Sequence, residues 1–206
     1  TITVADDGTS ATDLTISGVI SGGTGIGISK AGPGTMVLSG ANTYTGATTI
    51  SEGTLSAATI VLASNASNLG NATSAVILGS TSTAGTLSYT GAAATFTRGI
   101  TVNAGGGGLT NTTSNLLTIG TGGITNGGQL TFSNTGTGGT TVSSVISSTG
   151  SVVVNNIGTG VTIFSGANTY SGATTVNGGT LRAGRATNAF GANSAVTLAN
   201  TSGVVL

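Results

Sequence analysis

The chain has 206 residues, of which 38 are glycine and 42 threonine, and its four basic and four acidic side chains leave a net charge of zero. Without a basic patch the sequence argues against nucleic-acid binding, and without cysteine it excludes a disulfide framework and a metal–thiolate site. No run of about 18 apolar residues occurs, so no membrane-spanning helix is predicted.

Short apolar runs rich in valine, isoleucine and threonine, which favour strands, follow one another along the whole chain. Glycine, asparagine and serine separate them and supply the turns. No segment combines a 3.6-residue period with helix caps. The predicted strands are Ile2–Val4, Leu14–Ile20, Ile26–Ile28, Met36–Leu38, Thr48–Ile50, Ile60–Leu62, Val76–Leu78, Leu87–Tyr89, Phe96–Val102, Leu116–Ile119, Leu130–Phe132, Val142–Ile146, Val152–Val154, Val161–Phe164, Thr174–Val176, Val196–Leu198 and Val204–Leu206.

A long internal repeat organises these strands. Gly34–Ala57 returns 126 residues later as Gly160–Ala183, with 15 of 24 positions identical. The correspondence covers residues 16–78 and 142–198, although the offset drops to 120 after Ala183. Self-similarity at this length is typical of stacked architectures.

The sequence therefore predicts an all-β fold, a right-handed parallel β-helix (β-solenoid) that forms one continuous segment over residues 1–206. With about 20–25 residues per turn, the chain would make about nine rungs. Valine, isoleucine and leucine would fill the interior, glycine and asparagine the corners, and threonine and serine the outer faces. A jelly roll or sandwich is the rival fold. It explains the short strands but not the gapless match of 16–57 to 142–183.

The segment Gly32–Leu55 resembles the autotransporter-associated β-strand repeat, also called the passenger-associated transport repeat, and Gly158–Leu181 resembles it again. The resemblance implies a parallel β-helix outside or on the surface of a Gram-negative-type bacterium. The repeat positions that we expect to be structural are Gly34, Gly40, Asn42, Tyr44, Gly46, Gly53 and Leu55, with Gly160, Gly166, Asn168, Tyr170, Gly172, Gly179 and Leu181 in the second copy.

The repeated Asn-Thr-Tyr at 42–44 and 168–170 allows two interpretations. The tyrosine could contact a glycan, or the asparagine could bond the backbone at a corner while the tyrosine packs along the turn. We favour the structural interpretation.

Asp6, Asp7 and Asp13 are the one acidic cluster in the sequence. Asp6 and Asp7, which precede a glycine, could bind Ca²⁺ weakly, but a solvated turn is the preferred interpretation. Carbohydrate-cleaving enzymes need paired carboxylates, and nucleophilic catalysis needs a base beside the nucleophile. With no histidine, no cysteine and no such pairing, the sequence predicts neither an enzyme nor a cofactor site.

These observations favour an extracellular structural solenoid that acts as a stalk, spacer or filament subunit. A solenoid leaves unpaired strand edges at its ends, so the expected partners are further copies stacked end to end or a continuation of the same solenoid. The alternative is an adhesin that binds glycans or host surfaces through side loops, for which Ser56–Asn71 and Arg182–Asn193 are the candidates.

Overall fold

The computed structural model describes residues 1–60, 67–192, 194–200 and 203–206. Every regular element in these ranges is a β-strand. In chain order they are β1 (Ile2–Thr3), β2 (Leu14–Ile16), β3 (Ile28–Ala31), β4 (Thr35–Leu38), β5 (Thr48–Ile50), β6 (Gly53–Ala57), β7 (Val76–Leu78), β8 (Gly85–Tyr89), β9 (Ala94–Phe96), β10 (Ile100–Val102), β11 (Gly107–Asn111), β12 (Leu117–Ile119), β13 (Ile124–Asn126), β14 (Gln129–Asn134), β15 (Thr140–Val142), β16 (Ile146–Ser147), β17 (Ser151–Asn155), β18 (Thr162–Phe164), β19 (Thr174–Gly178), β20 (Leu181–Ala183) and β21 (Val196–Leu198).

The strands form three parallel sheets. Sheet 1 has the order β1-β3-β5-β7-β10-β13-β16, sheet 2 the order β2-β4-β6-β8-β11-β14-β17-β19-β21, and sheet 3 the order β9-β12-β15-β18-β20. Each strand pairs in parallel with the strand one turn before it and the strand one turn after it, as β11 does with β8 and β14. A jelly roll would pair its strands antiparallel. The predicted all-β parallel solenoid is confirmed, and the nine stacked strands of sheet 2 correspond to about eight turns, close to the nine rungs predicted. Its right-handed sense stays a prediction, based on the usual hand of parallel crossovers.

The core consists of columns of inward-facing side chains, because parallel strands stacked in register place equivalent positions above one another. One column runs through sheet 2 from its first strand to its last. Its members are Leu14, Met36, Leu55, Leu87, Leu109, Phe132, Val154, Val176 and Leu198. From Met36 to Val176 every member is buried, and the intervening strand positions face outward and are mainly threonine and serine.

Several predicted strands were too long because apolar residues continue through the corners. Leu14–Ile20 ends at Ile16, and Ile26–Ile28 is displaced to Ile28–Ala31. Ile20 is half-buried at its corner, whereas Val19 and Ile26 are exposed. Hydrophobicity alone therefore does not mark where a strand ends.

Two other predicted strands each split into a pair on different sheets. Phe96–Val102 becomes β9 and β10, and Val142–Ile146 becomes β15 and β16. Val204–Leu206 is reduced to an isolated bridge between Thr180 and Val205. In the predicted strand Ile60–Leu62, residues 61 and 62 lie outside the described residues.

Strands that the apolar pattern missed contain glycine, asparagine or arginine. They are β6, β11, β13 and β20. The run Gly105–Gly108 turns at Gly106 (φ +93°) and then enters β11 at Gly107. A Cβ at Gly107 would lie 2.6 Å from Cβ of Leu78, so this glycine lets neighbouring faces approach.

The interior also holds a polar network, which corrects the expectation that asparagine lies only at corners. Nδ2 of Asn134 donates to Oδ1 of Asn156 (3.0 Å) and to Oγ1 of Thr162 (3.0 Å), and Oγ1 of Thr140 donates to Oδ1 of Asn134 (2.7 Å). All four side chains are buried. Buried amides are tolerated where their hydrogen bonds are satisfied, and here the bonds link successive turns.

Candidate functional site

The repeat motif builds one corner of the solenoid around a buried asparagine. Oδ1 of Asn42 accepts a hydrogen bond from the backbone N–H of Ile20 (2.8 Å), and its Nδ2 donates to the carbonyl of Asn68 (2.7 Å). Asn42 is fully buried. One side chain therefore joins the turn before the motif to the segment that follows it, and it satisfies a backbone donor and acceptor that a corner leaves unpaired.

The second copy repeats this arrangement at Asn168. Its Oδ1 accepts from the backbone N–H of Ile146 (2.8 Å), and its Nδ2 donates to the carbonyl of Ala189. Asn168 is also fully buried. The same sequence at two places thus gives the same local hydrogen bonds.

The motif tyrosines are core residues. Tyr44 and Tyr170 are each 1% exposed or less, and their hydroxyls lie 2.8 and 2.7 Å from Oγ1 of Thr48 and Thr174. Burial raises the pKa of Tyr44, an effect that the Thr48 hydrogen bond and the nearby Arg98 charge partly oppose. A tyrosine buried in this way has no surface to offer a sugar, so the glycan interpretation of these two residues does not fit the structure.

The motif glycines lie where neighbouring turns touch. An added Cβ would lie 2.2 Å from the carbonyl oxygen of Gly18 at Gly40, and 1.9 Å from that of Ser144 at Gly166. Gly53 and Gly179 have positive φ values of 67° and 64°, which only glycine adopts without strain. Added Cβ atoms would also lie within 3.0 Å of backbone atoms at Gly34, Gly46, Gly160 and Gly172. Both Leu55 and Leu181 are fully buried.

The two copies of the motif occupy different sides of the solenoid. In the first copy, β4 and β6 belong to sheet 2 and β5 to sheet 1. Their equivalents β18 and β20 belong to sheet 3, and β19 belongs to sheet 2. The corner at 39–47 therefore takes the place of a sheet 3 strand, whereas the equivalent corner at 165–173 takes the place of a sheet 1 strand. The repeat advances by one sheet between copies, which the sequence offset did not reveal.

Two cations are buried in the first half of the solenoid. Nζ of Lys30 donates to the carbonyls of Gly32 (2.7 Å) and Glu52 (2.9 Å). Arg98 donates through Nε to the carbonyl of Ser74 (2.9 Å) and through one terminal nitrogen to that of Leu69 (2.9 Å). Burial lowers the pKa of both side chains. Their partners are backbone carbonyls, so both cations act as cross-links between turns.

The acidic residues Asp6, Asp7 and Asp13 come together near β2, with carboxylate oxygens within 4.8 Å of one another. The backbone N–H groups of Thr9 and Ser10 donate to Oδ1 of Asp7 (2.8 and 2.9 Å). These hydrogen bonds lower the pKa of Asp7, and the bond from Thr9 has the larger effect. Asp6 and Asp7 are exposed. These local bonds are those of a solvated turn, the interpretation preferred from the sequence, and a Ca²⁺ site here remains a weak candidate.

A shallow groove of about 460 Å³ lies beside β17 and β19. Asn177 and Thr180 contribute to its walls, together with Ile157, which is 78% exposed. Its lining carries no ionisable side chain among the described residues. This groove can offer amide, hydroxyl and apolar contacts but no acid–base chemistry.

Among the described residues we find no membrane-spanning helix.

Comparison with known proteins identifies the repeated element. The family model described as the passenger-associated transport repeat matches residues 28–57 and 157–183. The chain is also 36% identical over 148 residues to a protein named "Adhesin BmaC autotransporter" from Brucella suis biovar 1 (strain 1330). That alignment covers 65% of this chain and 4% of the Brucella protein. No solved structure matches the chain.

Each matched segment contains one of the two corners described above, at 39–47 and 165–173, and in each the motif asparagine accepts a hydrogen bond from a backbone N–H of the preceding turn. The chain is therefore a β-solenoid protein that carries two passenger-associated transport repeats.

Proposed function

We propose that the chain is a non-catalytic rod segment of an autotransporter-type passenger domain, exposed on the surface of a Gram-negative bacterium, where it works as a stalk or spacer. The observation that carries this proposal is the continuous core column from Leu14 to Leu198. An uninterrupted core holds the two ends of the segment at a fixed separation, because every turn packs on the turn before it.

The size of the segment suits this role. Nine strands of sheet 2 at a spacing of about 4.8 Å give a rod about 38 Å long. The chemistry of the site supports the same role. The polar side chains of the repeat motif form hydrogen bonds between turns, and the groove near Ile157 contains no acidic or basic side chain.

Surface display tests the proposal. The chain is placed between a membrane anchor and an epitope tag, in zero, one or two copies, on cells with an intact lipopolysaccharide layer. A spacer raises antibody access to the tag with each added copy. A control replaces each copy by a flexible Gly/Ser linker of about 48 residues, whose average end-to-end distance of about 38 Å matches one copy but grows only as the square root of length when two linkers are joined. Access that does not depend on the solenoid's copy number would refute the spacer function.

An adhesive role is the second candidate, favoured by the name of the Brucella relative and by the exposed Ile157 groove. Its ligand would be an uncharged glycan, because the groove lining offers amides, hydroxyls and one apolar side chain. Binding to a glycan array that is lost on Ile157→Asp would establish it. Thr159→Asp adds the same charge at an exposed threonine of the groove. This control shows whether binding is lost because the apolar side chain is missing or because a negative charge was added.

A further inference from the structure

Two segments of the chain have the sequence Asn-Gly-Gly, at Asn126–Gly128 and Asn177–Gly179. Asparagine is one of the thermolabile residues. It is most labile before glycine, because a residue without a Cβ leaves its backbone nitrogen open to the neighbouring side-chain amide. The two segments have the same local chemistry, so a difference between their asparagines in the folded protein comes from the fold.

The fold protects the first of these asparagines. Asn126 is fully buried in β13, which lies between β10 and β16. Its Nδ2 donates to the carbonyl of Ser151 (2.9 Å). The backbone N–H of Gly127 donates to the carbonyl of Val102 (2.9 Å). The side-chain amide and the backbone nitrogen that would have to react are therefore both held in hydrogen bonds, and they become free only when the structure opens locally.

The fold leaves the second asparagine open to solvent. Asn177 lies on the outward side of β19 and is exposed. Because β19 pairs with β17 in the turn before it and with β21 in the turn after it, this exposure is on the side of the solenoid. The pairing of β17 with β19 also shifts register here. Val154 pairs with Val176 and Asn155 with Gly178, so Asn177 has no ladder partner in β17, as in a β-bulge.

We propose that Asn177 is a site of spontaneous deamidation in the folded protein. The backbone nitrogen of Gly178 attacks Cγ of Asn177. The N–Cγ bond forms, the Cγ–Nδ2 bond breaks, and the side-chain nitrogen leaves as ammonia with the amide proton of Gly178. Water then opens the cyclic imide at either of its two carbonyls, which gives aspartate or isoaspartate. The sequence of steps consumes one water and needs no oxidant or reductant.

The modification changes the charge of the groove near Ile157, because Asn177 contributes to the groove wall. Among the described residues the groove lining carries no ionisable side chain, and the net charge of the chain is zero. Either product adds one carboxylate, so the groove becomes anionic and repels an anionic ligand. This inference goes beyond the proposed function, since the reaction requires neither the spacer role nor glycan binding.

Peptide mapping by mass spectrometry after pepsin digestion tests the proposal. The folded protein and the chain unfolded in guanidinium chloride are incubated in mildly alkaline buffer, and the mass gain of one dalton is followed at both sites. In the unfolded chain the two sites should convert at similar rates, because their local sequences are the same. In the folded protein Asn177 should convert at least about tenfold faster than Asn126, which reacts only after local opening. A smaller ratio, after correction for the ratio in the unfolded chain, would overturn the proposal.

Two variants of Asn177 locate the charge change. Asn177→Gln keeps the amide but must close a larger ring, and Asn177→Asp has the charge of the product. Circular dichroism and thermal melting show that both variants fold. On native isoelectric focusing, the incubated wild type should develop a band at the position of Asn177→Asp, and Asn177→Gln should not. An acidic band that forms at the same rate in Asn177→Gln would place the reaction at another residue and overturn the proposal.

Discussion

Truncating the corner asparagine of the second repeat, Asn168→Ala, should destabilise the solenoid strongly. The change removes the acceptor for the backbone N–H of Ile146 and the donor for the carbonyl of Ala189. Asn168 is fully buried, so water does not replace either bond. Each buried backbone group that loses its hydrogen-bond partner costs about 1–3 kcal/mol. The two together lower the free energy of unfolding by about 2–6 kcal/mol.

Urea-induced unfolding measures this loss, and amide exchange at Ile146 reports it locally, since the stability of a solenoid is distributed over its turns. Thr169→Ala is the matched control, because Thr169 is the next residue and is exposed. Surface changes of this kind stay within about 0.5 kcal/mol. If Asn168→Ala is as stable as Thr169→Ala, the assignment of the motif asparagine as a staple between turns is wrong.

Three further predictions concern the motif glycines, the buried tyrosine and the acidic turn. Gly166→Ala should lower the thermal midpoint, because its Cβ would lie 1.9 Å from a backbone oxygen, whereas Gly18→Ala, with nothing within 4 Å, should leave it unchanged or raise it; equal midpoints would refute the close-approach argument. Burial raises the pKa of Tyr44 above its ordinary 10.0, so the stability it contributes is present below pH 10 and is lost as the pH rises through the folded-state pKa. Alkaline titration of unfolding should therefore show a smaller loss for Tyr44→Phe than for the wild type, and identical curves would contradict this. Because the pKa of Asp7 lies below its ordinary 3.8, its contribution is present above pH 3.8 and is lost only as the pH falls through the folded-state value; a melting temperature that collapses between pH 7 and pH 5 would count against it.

The strand content and the parallel stacking could be predicted from sequence, because both depend on local signals. Alternation along a strand sets which side chains point inward, and glycine or asparagine between apolar runs marks the corners. The part played by Asn42 and Asn168 was also accessible, since a repeated asparagine in a glycine-rich turn indicates side-chain bonding to the backbone. The ends of the strands were harder to predict, because apolar residues such as Ile20 and Ile26 lie in the corners, outside the hydrogen-bonded strands.

A parallel solenoid with two equivalent corners is thus predictable from the residues, because inward-facing periodicity and turn residues act over a few neighbouring positions. Which side of the solenoid each corner occupies is visible in the folded chain and not in the residues, since it depends on how many strands all the intervening turns contribute. The fold also shows that Arg98 is a buried cross-link. Val196 and Leu198 of the second repeat are exposed, whereas Val76 and Leu78, at the equivalent positions of the first repeat, are buried. Burial is a property of the next turn in space, and residues with the same local sequence take different burial when that neighbour differs.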